Sequence, residues 1–192
     1  MRTVIGIAGS LRKGSYNTAL LRAASEVAPA GLTIEIASIA DIPLYNGDLE
    51  SERGVPDVVS QLKDRIAAAD GLLLATPEYN NSVPGPFKNA IDWLSRPGKD
   101  IPRVFGDRPV GLMGATPGRG GTRMAQTALL PVLRTLGTRP WFGGQLYVAG
   151  AGQVFDQDGR LVDETVRQLL TNYMTGFAAF IDPSYLGNPR AT

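Results

Sequence analysis

The chain has 192 residues, 43% of them hydrophobic and 19% charged, with 19 Lys and Arg against 18 Asp and Glu for a net charge of +1. That is enough to bury one domain's core, too apolar for a disordered chain and too balanced for a nucleic-acid arm. His 0 and Cys 0 exclude Ser-His and Cys-His nucleophile pairs, zinc sites of the usual kind, thiol redox couples and disulfides, so any redox chemistry runs on a borrowed centre.

The first predicted strand, 3–8, is a short apolar run. Met1-Arg2-Thr3 leads into it without a secretory leader pattern, and no apolar run approaches the roughly 20 residues that cross a bilayer; a cytoplasmic protein is expected. The strand is followed by Gly9-Ser10-Leu11-Arg12-Lys13-Gly14-Ser15-Tyr16-Asn17 and a helix over 18–28. A turn from a parallel strand into a helix offers free backbone N–H groups and the positive end of the helix dipole, which favour an anion. Gly9 and Gly14 have P-loop spacing, but Ser15-Tyr16 stand where a nucleotide hydrolase needs Lys and then Ser or Thr. Gly6, Gly9 and Gly14 do not make the dinucleotide pattern G-x-G-x-x-G either. Ser10, Arg12, Ser15 and Asn17 remain as donors suited to a terminal phosphate held without metal, Arg12 being able to bond two oxygens at once. The same residues fit a solvated turn in which Ser15 or Asn17 caps the helix.

A second strand over 32–37 precedes residues 38–56, the one long stretch without periodicity; such loops inside a compact domain are usually functional or mobile. A helix over 57–69 carries Val58, Leu62, Ile66 and Ala69 on one stripe. Strand three, 71–76, ends in Thr76-Pro77-Glu78-Tyr79-Asn80-Asn81-Ser82-Val83-Pro84-Gly85-Pro86. Its three prolines restrict the backbone and leave the N–H groups of residues 78–82 as rigid donors suited to a planar heterocycle. On the helix over 84–94, Trp93 reads as core and Lys88 with Asp92 as a surface i, i+4 pair. Glu78 reads as a turn or interface residue without a proton-transfer role. Strand four, 109–115, runs into Gly114-Ala115-Thr116-Pro117-Gly118-Arg119-Gly120-Gly121, small residues that let a ligand approach the backbone. A helix over 122–136 with Pro131 expected to kink it, a fifth strand over 145–148 and a helix over 163–180 complete the pattern.

Five strands alternating with five helices predict an α/β fold, a three-layer doubly wound parallel five-stranded sheet. In the flavodoxin-like order 2-1-3-4-5, the loops after strands one and three meet at the topological switch point, and the loop after strand four joins them in one crevice. One domain over 1–192 is expected, with a peripheral tail at 182–192.

Residues 9–17, together with Pro77-Glu78-Tyr79-Asn80 through Pro84-Gly85 to Lys88-Asn89-Ala90-Ile91-Asp92-Trp93, resemble the phosphate loop and ring-edge loop of the NAD(P)H-dependent FMN reductases of flavodoxin-like fold. That group includes quinone, chromate and azo-dye reductases, and the resemblance spans residues 2–181. It implies that Ser10, Arg12, Ser15, Tyr16 and Asn17 hold the FMN phosphate. Pro77, Glu78, Tyr79 and Asn80 would border the isoalloxazine mostly through main-chain groups, and Thr116, Gly118 and Gly121 would close its pyrimidine side. Family members often carry Ser near 114–116, where this chain has Gly114, Ala115 and Thr116. The resemblance further implies NADPH or NADH as co-substrate and ping-pong hydride transfer through FMN N5 without a catalytic side chain. The acceptors would be quinones or similar small molecules: chromate, azo or nitro compounds, or free flavin. It implies a homodimer or homotetramer; no metal, nucleic-acid or membrane partner is expected from the composition, charge and apolar-run lengths above. On the residues alone two other classes stay open: a flavodoxin-like electron carrier without NAD(P)H chemistry of its own, against which the net charge of +1 argues mildly, and a phosphate-binding regulatory module without flavin.

Overall fold

Four apolar runs, each too short for a stable helix, form most of a parallel sheet in the computed structural model, which describes residues 1–182. They are β1 (Arg2–Ala8), β2 (Leu32–Ala37), β3 (Gly71–Ala75) and β4 (Pro109–Ala115), lying side by side as β2-β1-β3-β4. The tail expected to be peripheral lies, from residue 183, outside the described residues.

Eight α-helices accompany the sheet among the described residues: α1 (Tyr16–Glu26), α2 (Gly47–Arg53), α3 (Asp57–Ala68), α4 (Gly85–Leu94), α5 (Ile101–Val104), α6 (Arg123–Thr135), α7 (Ala151–Val154) and α8 (Glu164–Ile181). Successive strand residues point to opposite faces, and both faces are covered, as a parallel sheet requires. Val4, Leu73 and Met113 pack with Leu20 and Leu21 of α1 and Leu170, Met174 and Phe177 of α8. On the other face, Ile5, Leu72, Leu74 and Leu112 pack with Val59 and Ile66 of α3, Phe87 and Ile91 of α4 and Leu129 of α6. α6 runs on through Pro131 to Thr135. None of the described helices is long and apolar enough to cross a membrane.

The fifth position of the sheet is split. β5 (Arg139–Pro140) pairs with Pro109 and Val110, and β6 (Leu146–Val148) with Met113, Gly114 and Ala115. The strand expected at 145–148 is therefore only the second half of this position. A two-residue piece has no apolar run to reveal it. Between the halves, the Leu112 carbonyl accepts a hydrogen bond from the Tyr173 hydroxyl of α8 at 2.8 Å, which replaces the missing strand amide and satisfies a buried acceptor.

The 38–56 stretch also differs from the plain loop expected there. α2 forms inside it with no buried residue, so no apolar stripe announced it. Its ends are set by local chemistry: the Asn46 side chain accepts from Asp48 N–H at 2.8 Å, and Gly54 closes it at φ 76°. The stretch is fastened to α4. Pro43 O accepts from Asn89 Nδ2 at 2.8 Å and from Trp93 Nε1 at 2.9 Å, while Tyr45 N–H donates to Asn89 Oδ1 at 2.8 Å. Trp93 is fully buried, as its position on the helix suggested. Lys88 and Asp92 form the expected partly exposed pair at 2.8 Å.

Candidate functional site

β1 ends at Ala8, and the Gly9 N–H donates to Ala75 O at 2.8 Å, so the first loop leaves the sheet beside the end of β3. Ser15 is the N-cap of α1. Its Oγ accepts from Thr18 N–H at 3.2 Å, which leaves the hydroxyl proton free to donate elsewhere. Ser10 Oγ accepts from Arg12 N–H at 3.3 Å. The main-chain N–H groups of Ser10, Leu11, Lys13, Gly14, Ser15, Tyr16 and Asn17 have no acceptor among the described residues. The first turn of α1 carries no acidic residue, and Arg12 and Lys13 are exposed on the same loop. This collection of donors without an acceptor is what an anion requires. Tyr16 stacks on Phe155 with ring centroids 6.0 Å apart.

Asn17 is committed inside the protein. It is buried; its Nδ2 donates to Ala115 O and its Oδ1 accepts from Ala115 N–H, both at 2.9 Å. The side chain expected to donate to a phosphate thus fastens the start of α1 to the end of β4.

The loop after β3 is built around a tight turn. Tyr79 and Ser82 exchange main-chain bonds of 3.1 and 3.0 Å, and Asn80 and Asn81 between them have φ of 50° and 59°, the left-handed pair of a two-residue hairpin turn. This corrects the expectation of free amides throughout 78–82. Those of Tyr79 and Ser82 are engaged in the turn, while those of Glu78, Asn80 and Asn81 have no acceptor among the described residues. Pro77 precedes the turn, with its carbonyl accepting from Thr76 Oγ1 at 2.7 Å, and Tyr79 is partly exposed. The Glu78 carboxylate accepts from Met124 N–H at 2.8 Å and Ala125 N–H at 3.1 Å.

The loop after β4 lies along the start of α7. Thr116 N–H donates to Val148 O at 2.9 Å, Ala151 N–H to Thr116 O at 3.0 Å and Gly150 N–H to Gly118 O at 3.2 Å. Gly121 has φ 65°, in the region that favours glycine. Two other glycines differ in kind. A Cβ on Gly114 would lie 2.2 Å from both Thr76 O and Thr122 Oγ1, whereas one on Gly118 would meet nothing closer than Thr116 Oγ1 at 3.9 Å. The first is hemmed in by protein, and the second faces open space.

The residues expected to form a site therefore lie on three neighbouring loops at the carboxyl rim. Gly9–Ala75 joins the first loop to β3, Asn17–Ala115 joins it to β4, and Glu78 joins the ring-edge loop to α6. A fourth segment outside the expected site residues, Val148-Ala149-Gly150-Ala151, braces Thr116 and Gly118. Its signal was available: small residues after an apolar strand at the same rim.

Residues 2–153 match the family model for NADPH-dependent FMN reductase. The chain belongs to this family. An NAD(P)H-dependent FMN reductase of Pseudomonas aeruginosa is 42% identical over 178 residues, covering 93% of this chain and 94% of that protein. A quinone reductase of Escherichia coli K12 is 39% identical over 184 residues, with 93% and 94% covered. Among solved structures, the flavoenzyme NAD(P)H:(acceptor) oxidoreductase FerB of Paracoccus denitrificans superposes with a TM-score of 0.84 at 34% identity, covering 95% of this chain and 98% of that one. This FMN reductase is an oxidoreductase that works with FMN and NAD(P)H, which sets aside the carrier and regulatory-module classes. FMN suits the site chemically: a loop of donors without a carboxylate can take a phosphate dianion, and at Gly118 only the Thr116 hydroxyl, 3.9 Å away, lies near the Cβ position.

Proposed function

We propose that this FMN reductase holds the FMN phosphate on residues 10–17 and the ring between the loops at 77–80 and 116–121, and passes electrons from NADPH or NADH to quinones. The observation that carries the placement is the set of main-chain donors without an acceptor between Ser10 and Asn17, all but that of Arg12, on a loop tied to the ends of β3 and β4 from which the other two loops start. Ser10, Arg12 and Ser15 would bond phosphate oxygens through their side chains, and Tyr16 and Asn17 through main-chain N–H groups. Pro77, Glu78, Tyr79 and Asn80 would border the ring, with the free amides of Glu78 and Asn80 at its edge. Thr116, Gly118 and Gly121 would close the remaining side.

When bound, FMN supplies the two-electron centre that a chain with neither His nor Cys lacks. The protein's part is orientation and charge. Amides held by the turn would stabilise a developing negative charge without having to reorganise, and loops fastened to the ends of β3, β4 and α6 would keep two substrates in register at one place. No side chain is assigned a proton to move. The names of two relatives support quinones as acceptors: the E. coli quinone reductase and a 2-hydroxy-1,4-benzoquinone reductase of Burkholderia, 37% identical over 175 residues. The family's own description favours NADPH.

The direct test is anaerobic absorbance of the FMN-loaded protein. NADPH or NADH should bleach the flavin band and a benzoquinone should restore it; a band unchanged by both nucleotides removes the proposal. Arg12→Ala is expected to weaken FMN binding by ~1.5–3 kcal/mol, the worth of a hydrogen bond to a charged group. Fluorescence titration measures this, and an unaltered dissociation constant would move the phosphate off this loop. We also assign a homodimer or homotetramer. Sedimentation equilibrium should then return a multiple of 20.4 kDa.

A further inference from the structure

Among the described residues, Glu78 provides the one side-chain hydrogen-bond bridge from the 77–84 loop to another element. Its Oε2 takes both bonds, from Met124 and Ala125, the second and third residues of α6. Those are the donors that a helix's own N-cap side chain ordinarily serves. Here the N-cap, Thr122, makes no such bond; it is fully buried, and its hydroxyl accepts from Gln126 Nε2 at 2.9 Å. α6 is therefore capped from outside, by the loop on the far side of the proposed ring slot. Thr122 also ends the 116–122 loop, so a bond at the start of α6 fixes the separation of the two loops between which the ring would lie.

We propose that Glu78 is a positioning residue: its carboxylate caps α6 and thereby sets the separation of the ring-edge loop and the loop after β4. The inference rests on the site placement proposed above. A carboxylate is suited to the task because its charge lies at the positive end of α6 and its bonds are charge-assisted. Both bonds end on one oxygen, so an amide at the same position could still accept them.

The test uses the full chain as wild type, Glu78→Ala and Glu78→Gln. Hydrogen exchange of the wild type with and without FMN comes first. Protection of residues 10–17 and 78–81 by FMN supports the site placement; protection elsewhere removes that placement whatever Glu78 does. In Glu78→Ala without FMN, the Met124 and Ala125 amides should exchange faster. Its FMN dissociation constant should rise about tenfold, the equivalent of ~1.4 kcal/mol, and the midpoint potential of bound FMN should move negative as the ring-edge amides lose their aim. Glu78→Gln should recover most of both. If Glu78→Ala loses thermal stability but keeps wild-type FMN affinity and potential, the cap is structural alone and the proposal is overturned. Should Glu78→Ala not fold, Glu78→Asp takes its place. The shorter side chain must draw the loops together to reach α6, so it should weaken FMN more than Gln does; equal affinities in the two variants would overturn the proposal.

Discussion

Gly114→Ala is expected to destabilise the protein by at least ~3 kcal/mol, the upper end of the usual cost of overpacking. The new Cβ would stand 2.2 Å from the Thr76 carbonyl and 2.2 Å from the hydroxyl of fully buried Thr122. Neither neighbour is the free end of a flexible chain. Thr76 is held by its N–H to Met113 O at 3.0 Å, and the Thr122 hydroxyl by Gln126. Relief would have to come from parting the ends of β3 and β4, which carry the two loops proposed to flank the ring, so FMN affinity should fall together with the urea midpoint. Gly118→Ala is the control. With nothing nearer than 3.9 Å, it should stay within ~0.5 kcal/mol of wild-type stability while weakening FMN binding. Wild-type stability in Gly114→Ala would show that the β3 and β4 ends separate freely.

Asn17→Ala is expected to cost about 2–6 kcal/mol, because it leaves the Ala115 N–H and carbonyl without the partners they have at 2.9 Å, and each unsatisfied buried group costs ~1–3 kcal/mol. Asn17→Asp separates the two duties of the position. It keeps an acceptor for the Ala115 N–H, sets a negative oxygen against the Ala115 carbonyl and brings a carboxylate to the proposed phosphate loop. FMN affinity should therefore fall in the order wild type, Ala, Asp, by isothermal titration alongside thermal melts. If Asn17→Ala lost FMN affinity at unchanged stability, the side chain would serve the ligand and not Ala115.

The sheet was legible because its central strands are apolar runs cut short by Gly, Pro or Thr, with helices of clear 3.6-residue period between them. The features that escaped have no period to show. α2 has no fully buried residue, packs only Leu49 partly against the core and is defined by its caps at Asn46 and Gly54, and β5 is the pair Arg139 and Pro140. At the proposed site, residue type placed the donors at the carboxyl rim, since a strand's end and a helix's start are local facts. The partners of those donors were not legible. Asn17 finds Ala115 across 98 positions of sequence and Glu78 finds Met124 across 46, and such pairings depend on how the strands are ordered and how far each loop reaches. The Tyr79–Ser82 turn lay between these extremes: Asn80-Asn81 is a local signal for a left-handed pair, but its effect on which amides stay free emerges only once the turn closes.

The divided fifth strand also bears on how copies of this molecule can meet. A long outer strand is a template on which another chain can add by backbone pairing, and proteins guard against this by keeping such borders short or covered. Here the border is two fragments of two and three residues, and a phenol hydroxyl covers the carbonyl left between them. Ribbon-to-ribbon growth has no foothold along that margin, whereas β2 at the opposite border is an unbroken six-residue strand, so backbone pairing between copies is confined to that one side of the sheet.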